Sequence, residues 1–432
     1  MPLSRLLGKL IGRKSVREAP VIPLPPEIVD YIISFVDDRK TLRSCAVVCR
    51  GWLPASRYKL FHRIVISKGA KFKSLQRLIR SPSMLQCLAV VEELRVPCFT
   101  KTAPKGQLFK PPFIEVIQLL AVHLVGLRSM RIQFHYGCWL APLEETFLTS
   151  LSYLSRLVEL DMDHIQFSAF SDFQRFVCSF PQLASLSMAS VCWNVSDSLA
   201  GAGANLRLES LRVGSMNGSY LPPLLEWLIC TPCCRTTKSF HCQDQYFYDG
   251  APAPIVNRWL RTLGEHLEHL TIPLSSEIDL SRNVDLLSLV VPTHIVTVWG
   301  WEMASEMLCG VRSSKLAELT LSLQLWVIYA LPQEEGLWQD DPSVDGVDQV
   351  LMQERFESLR TVTVCLETSF IVPRQYYICA QHELQTRMRH VHSRGILRVT
   401  HSPMEKCIPA PFLMPEHVCR HCRGAPSRME PE

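Results

Sequence analysis

Residues 157–188 read LVELDMDHIQFSAFSDFQRFVCSFPQLASLSM, and the segment opens and closes on one phrase: an apolar residue, two others, a second apolar residue, one other, and a third. Leu157, Leu160 and Met162 carry the first copy; Leu183, Leu186 and Met188 carry the second. The last two apolar positions of a copy lie two residues apart, so they leave the same face of an extended strand, while the first turns in from the preceding loop. Between the copies, residues 167–180 are helix-like. Each phrase therefore predicts a short strand, and each interval a helix before the next strand.

The phrase recurs outward from this segment in both directions. It stands at Val91/Leu94/Val96, Leu127/Met130/Ile132, Leu208/Leu211/Val213 and Leu267/Leu270/Ile272. It returns at Val284/Leu287/Leu289, Leu316/Leu319/Leu321 and Leu359/Val362/Val364, with further helix-like stretches at 221–229 and 259–267. Most intervals are roughly 25 to 36 residues, a repeat period. The double-length gap between Leu211 and Leu270 leaves room for a degenerate copy near Phe240, and the gaps flanking Leu287 and Val362 are irregular. One such unit cannot bury its apolar side alone, whereas stacked units share a continuous core and expose a face of parallel strands. An ordinary α/β layer also alternates strands and helices, but it would not repeat the phrase itself. The expected fold class is α/β: an irregular solenoid of short parallel strands with outer helices over residues 67–372.

This pattern resembles a degenerate leucine-rich-repeat array. The asparagine that such repeats carry after the strand is mostly missing, although Asn217 comes near one such place, which implies looser strand turns. In arrays of this kind the outward strand positions form a concave surface that grips partners. Here they are Glu159, Asp161, Asp163, Arg212, His269, Thr271, Glu318, Thr320, Thr361 and Thr363. An acidic patch around Asp161 and Asp163 would suit a basic segment of a client protein.

Residues 24–66, LPPEIVDYIISFVDDRKTLRSCAVVCRGWLPASRYKLFHRIVI, form a second kind of unit. Pro25 and Pro26 suit a helix start, where a missing N–H costs nothing, and Glu27 favours the positive end of the helix dipole. The helix runs to about Val36 with Ile28, Ile32 and Phe35 on one stripe and Val29, Ile33 and Val36 on a second. A helix apolar on two sides is sandwiched. Asp37 or Asp38 supplies the next N-cap, Leu42, Cys45, Val48, Cys49 and Trp52 follow at helical spacing, and a third helix covers about 55–60. So few residues cannot bury all of this among themselves.

This stretch closely resembles an F-box, on the Leu24-Pro25 opening, Ile28 and Ile32, the run through Leu42, Cys45, Val48, Cys49 and Trp52, and the closing Leu60-Phe61. The resemblance implies docking on a Skp-type adaptor and, through it, a cullin-based ubiquitin ligase. It implies adaptor contacts at Leu24, Pro25, Ile28, Ile32, Leu42, Cys45, Val48, Cys49 and Trp52, with the second stripe under the adaptor. Residues 20–66 would then be the F-box and the solenoid would hold a client, giving a substrate receptor without catalytic residues of its own. A repeat scaffold merely capped by the helical unit is the alternative.

Composition sets the remaining bounds. A chain of 432 residues exceeds what one core fills, and 47% hydrophobic residues argue against wholesale disorder. A net charge of +4, with basic residues spread throughout, gives no nucleic-acid footprint. The 17 cysteines form no disulfide framework and no secretory signal opens the chain, so reduced thiols in cytoplasm or nucleus are expected. Residues 1–19 read as a mobile basic tail and 333–349 as an acidic surface loop. Residues 373–432 read as a C-terminal extension, partly disordered. No window supports a membrane span. Two Cys/His clusters (Cys230, Cys233, Cys234, His241, Cys242; and Cys407, His417, Cys419, His421, Cys422) lack the paired spacing of a zinc finger, so neither a metal nor a cofactor is expected. No nucleophile elbow, phosphate loop or dinucleotide turn is complete.

Overall fold

Each apolar phrase becomes a strand in one continuous parallel sheet. The computed structural model describes residues 24–66, 79, 82–97, 108–109, 112–134, 139–140, 142–197, 203–216, 218–243, 253–293, 298–324, 343–370 and 374–408. The basic tail, the start of the acidic segment, Asn217 and the cluster beyond Cys407 lie outside them. The chain divides into two compact units at Arg63 and Ile64.

Strand β1 (Arg63–Val65) begins at the division, and the larger unit carries β2 (Glu93–Pro97), β3 (Leu108–Phe109), β4 (Ser129–Gln133), β5 (Trp139–Leu140), β6 (Glu159–Asp163), β7 (Gln166–Ala169) and β8 (Ser185–Ala189). It continues with β9 (Cys192–Val195), β10 (Ser210–Gly214), β11 (Ser239–Gln243), β12 (His269–Thr271), β13 (Ser288–Thr293), β14 (Glu318–Gln324), β15 (Thr361–Phe370) and β16 (Leu397–Ile408). The main sheet has the order β1-β2-β4-β6-β8-β10-β11-β12-β13-β14-β15-β16, and a second, four-stranded sheet has the order β3-β5-β7-β9. Pairings from β2 to β16 are parallel. Helices such as Glu145–Leu151, Phe170–Cys178, Leu221–Ile229, Ala253–Leu263 and Ser343–Leu351 fill the intervals. This is a solenoid of the leucine-rich-repeat type, α/β in class.

Register shows why the phrase works. Leu94, Met130, Leu160, Leu186, Leu211, Phe240, Leu270, Leu289, Leu319 and Val362 stand side by side, one per strand. All are buried, and one contiguous apolar core runs from Ile66 to Val391. At the foot of each strand the backbone climbs from unit to unit: Glu159 N–H donates to Arg128 O, Ser185 N–H to Val158 O and Ser210 N–H to Ala184 O, at 2.9 to 3.0 Å. Aromatic residues thicken the middle, where Trp193 meets Phe170 at 4.6 Å and Phe173 at 5.6 Å between ring centroids.

Three expectations about the repeats change. The phrase assigned to Val284, Leu287 and Leu289 is shifted by two residues: Leu286, Leu289 and Val291 are buried and Val284 is exposed. The degenerate copy at Phe240 is a full strand, β11, whose missing leucine is Thr237; its buried hydroxyl donates to Leu208 O at 3.0 Å, which removes the cost of burying it. The array also continues past residue 372, because β16 pairs with β15. There Arg394 takes the place of the first apolar residue, and its guanidinium donates to the carbonyls of Phe356, Glu357 and Leu359 at 3.1 to 3.2 Å.

The acidic segment is not loop throughout. Ser343–Leu351 is helical, and Asp348, 3% exposed, accepts the backbone N–H groups of His390 and Val391 at 3.1 Å. Its carboxylate caps the short helix Arg389–Ser393 from a distant part of the chain. Strand turns do without the repeat asparagine: His164, Ser190 and Ser215 take left-handed backbone, φ 51 to 56°, directly after β6, β8 and β10. His164 and Ser190 donate their N–H to Ala189 O and Gly214 O of the next unit.

The smaller unit has helices α1 (Pro26–Ser34), α2 (Arg39–Val48) and α3 (Leu53–Phe61). Asp38 is the cap of α2: its carboxylate accepts Thr41 N–H and Oγ at 2.7 Å, hydrogen bonds that hold its pKa below the usual carboxylate range. Lys59 ties α3 to the end of α1 through Ser34 O and to Asp37 at 3.3 Å. Val29, Ile33, Leu42 and Cys45 form a small core of their own, flanked by Val36, Trp52, Ala55 and Leu60.

Candidate protein-interaction surfaces

Two surfaces bring the candidate residues together. On α1 the two stripes have opposite fates: Val29 and Ile33 are buried in the unit's own core, whereas Ile28, Ile32 and Phe35 remain 44%, 37% and 67% exposed. The stripe left open is therefore the first, and the second, expected to lie under the adaptor, is the one the unit buries itself. The reason is packing geometry, since Ala55 and Leu60 of α3 pack against the core that Val29 and Ile33 form with Leu42 and Cys45.

The sequence-derived contacts separate in the same way. Leu24, Pro25, Ile28, Ile32, Val48 and Cys49 are exposed. Leu42 and Cys45 are buried, and Trp52 packs against them, so these three hold the unit together and present little to an outside protein. Tyr31 and Phe35, in edge-to-face contact at 4.8 Å, and Val47 join the exposed set without having been singled out. Tyr31 follows Ile28 by three and precedes Phe35 by four, so stripe spacing contained the signal. An exposed apolar set of this size on so small a core is unusual for a surface meant to face water.

The second surface is the outer face of the main sheet. Glu159, Asp161, Asp163, Arg212, His269, Thr271, Glu318, Thr320, Thr361 and Thr363 all avoid burial there. Register sets them in rows along the array: Glu318 beside Thr361, Thr320 beside Thr363, and Asp161 beside Arg131. Asp161 is ion-paired with Arg131, and Asp163 accepts Gln133 Nε2 at 2.8 Å and lies 3.5 Å from His164 Nε2. The acidic patch is thus largely met from within. Further along, His241 has an imidazole held below its ordinary range, first by burial and then by the cation of Arg212 beside it.

No family model and no curated protein sequence matches this chain. Similar solved structures exist at low identity. One is the complex of Rad7 and Elc1 from yeast, at 13% identity and a TM-score of 0.40, covering 91% of this chain and 92% of that one. Another is an internalin from Listeria monocytogenes, at 14% identity and a TM-score of 0.33, covering 80% and 95% respectively. A protein from Bacteroides fragilis gives 10% identity and a TM-score of 0.39, over 81% and 76%.

The cysteines of the first sequence cluster do not converge. Cys230 is exposed, Cys242 is buried on β11, and Cys233 is buried with its thiol bonded to the backbone at Leu206 and Leu208. Among the described residues no group of His, Cys, Asp or Glu could hold a metal ion. Burial pushes the thiols of Cys178 and Cys192 up to about 11, which suits packing groups and not nucleophiles. Among the described residues, no helix is long and apolar enough to cross a membrane.

Proposed function

We propose that this chain is a substrate receptor of a Skp-cullin-F-box-type ubiquitin ligase. In this reading the helical unit is an F-box that docks on a Skp-type adaptor, and the outer face of the solenoid holds the client. The observation that carries it is the open stripe of Ile28, Ile32 and Phe35 on a unit whose core consists of Val29, Ile33, Leu42 and Cys45. A unit of that size is marginal by itself, and covering what is still exposed of those side chains would contribute roughly 0.5–2 kcal/mol each. The F-box resemblance names a cover of matching chemistry. Leu24, Pro25, Val48 and Cys49 extend the surface, while Leu42, Cys45 and Trp52 act from inside.

The mechanism is positional. Holding a client beside a charged ubiquitin carrier raises the effective concentration of its lysines, so the chain needs no catalytic residue of its own. Such a role belongs to the cytoplasm or nucleus. The test is reconstitution in cells: tagged full-length chain should co-purify with a Skp-type adaptor and a cullin, and Ile28→Asp with Ile32→Asp should abolish both while circular dichroism stays unchanged. Absence of adaptor from the wild-type material would favour the other reading, a repeat scaffold whose helical unit is a cap.

A further inference from the structure

On the outer face of the sheet Arg212 stands with no carboxylate beside it. Arg212 lies in the middle of β10, between β8 and β11, and its side chain is exposed. Ser210 and Gly214 flank it on its own strand; Ser187 of β8 and His241 of β11 stand directly beside it. The diagonal places belong to Ser185 and Ala189 on β8 and to Ser239 and Gln243 on β11. Neighbouring strands lie about 4.8 Å apart and alternate residues about 6.6 Å, so these positions make up the whole first ring around Arg212. Not one of them is a carboxylate.

Arginines earlier in the array are treated differently. Arg95 pairs with Glu93 and Arg131 with Asp161, each on the same face. Arg212 has no acidic partner among the described residues. A guanidinium cannot shed its proton, and His241, whose pKa burial and this same cation lower, has no anionic form to offer it. Ser185, Ser187, Ala189, Ser210 and Gly214 keep the β8 and β10 side of the guanidinium lined by short residues, and a Cβ added at Gly214 would come no closer than 4.0 Å to Met188 O. Serine hydroxyls at 185, 187, 210 and 239 supply further hydrogen-bonding groups around the fork, while the imidazole bonds the side chain of Gln243. A planar donor pair amid small polar groups matches a carboxylate or phosphate, bound bidentately.

We propose that Arg212 is the seat of an anionic side chain, carboxylate or phosphate, on an extended partner segment laid across β8, β10 and β11. The proposal rests on the reading of this face as the client-binding surface, and it replaces the expectation of a basic client drawn from Asp161 and Asp163. Small residues on β8 and β10 let a backbone approach the sheet closely, and the paired charges of β4 and β6 border the seat on one side.

The test uses the full-length protein on arrays of immobilised ten-residue peptides, random except for a fixed central residue: glutamate, phosphoserine, lysine or alanine. Wild type should retain glutamate- or phosphoserine-centred peptides about tenfold over lysine-centred ones. The stronger of the two acidic arms tells carboxylate from phosphate. Arg212→Ala should lower acidic-centred retention to the alanine-centred level, and Arg212→Glu should turn the preference toward lysine, with melting temperatures unchanged. Equal retention at every centre, no retention of acidic centres, or an acidic preference that survives Arg212→Ala overturns the proposal. Thr320→Arg with Thr363→Arg, on the same face but away from the seat, separates the two readings. If Arg212 proves irrelevant while this pair lowers retention at all centres, the client-binding face stands without the seat; if neither matters, both fall.

Discussion

At Ser56 the helical unit buries a hydroxyl completely without giving it a hydrogen-bond partner. An unpaired buried polar group costs ~1–3 kcal/mol, so Ser56→Ala should stabilise the unit by about 1 kcal/mol and slow hydrogen exchange of α3 amides roughly fivefold. A destabilised variant would mean the hydroxyl is satisfied. The thiols give a second prediction. Folding raises Cys178 and Cys192 from 9.0 to about 11, so the folded chain keeps protons that the unfolded chain releases first. Their stabilising share is therefore complete below about pH 9 and is lost as the pH climbs toward 11. In alkylation at pH 8 followed by mass spectrometry, exposed Cys49, Cys230 and Cys309 should label well before Cys178 and Cys192. Early labelling of the latter pair would contradict their burial.

At the scale of the element, the strand is the unit that sequence specifies best. Its phrase needs three apolar positions in fixed spacing, and wherever all three are aliphatic or methionine, β13 excepted, the strand is where the spacing put it. Where one is replaced the signal fades, as with Thr237, whose hydroxyl is neutralised by a carbonyl of the neighbouring unit, and Arg394, which caps carbonyls instead of filling the core. The error at β13 came from Leu287, which supplied a false apolar match two residues out of register. That register is testable. Leu289→Ala should cost ~2–5 kcal/mol as a core truncation, against less than about 1 kcal/mol for exposed Val284→Ala, by urea unfolding. The reverse order would restore the original register. The helix Ser343–Leu351 was hidden for another reason: its acidic composition reads as solvated, and burial of Asp348 depends on helix Arg389–Ser393, which local sequence does not announce.

For the whole molecule, the repeat period was legible because stacking forces every unit to solve the same burial problem. The candidate surfaces were legible in composition but not in orientation. Both stripes of α1 are apolar, and the choice between them depends on where α3 packs, which is a tertiary matter. On the sheet, the list of outward residues could be read from period two, but the pairing of Asp161 with Arg131 and the isolation of Arg212 needed the register. The central claim is that the open stripe of α1 awaits a Skp-type adaptor. It is tested most directly by titration calorimetry of the full-length chain with purified adaptor. The expected result is saturable 1:1 binding with a negative heat-capacity change, weakened at least about a hundredfold, or about 2.7 kcal/mol, by Ile28→Asp with Ile32→Asp. Absence of binding by the wild type, or equal affinity of the double variant, would contradict it.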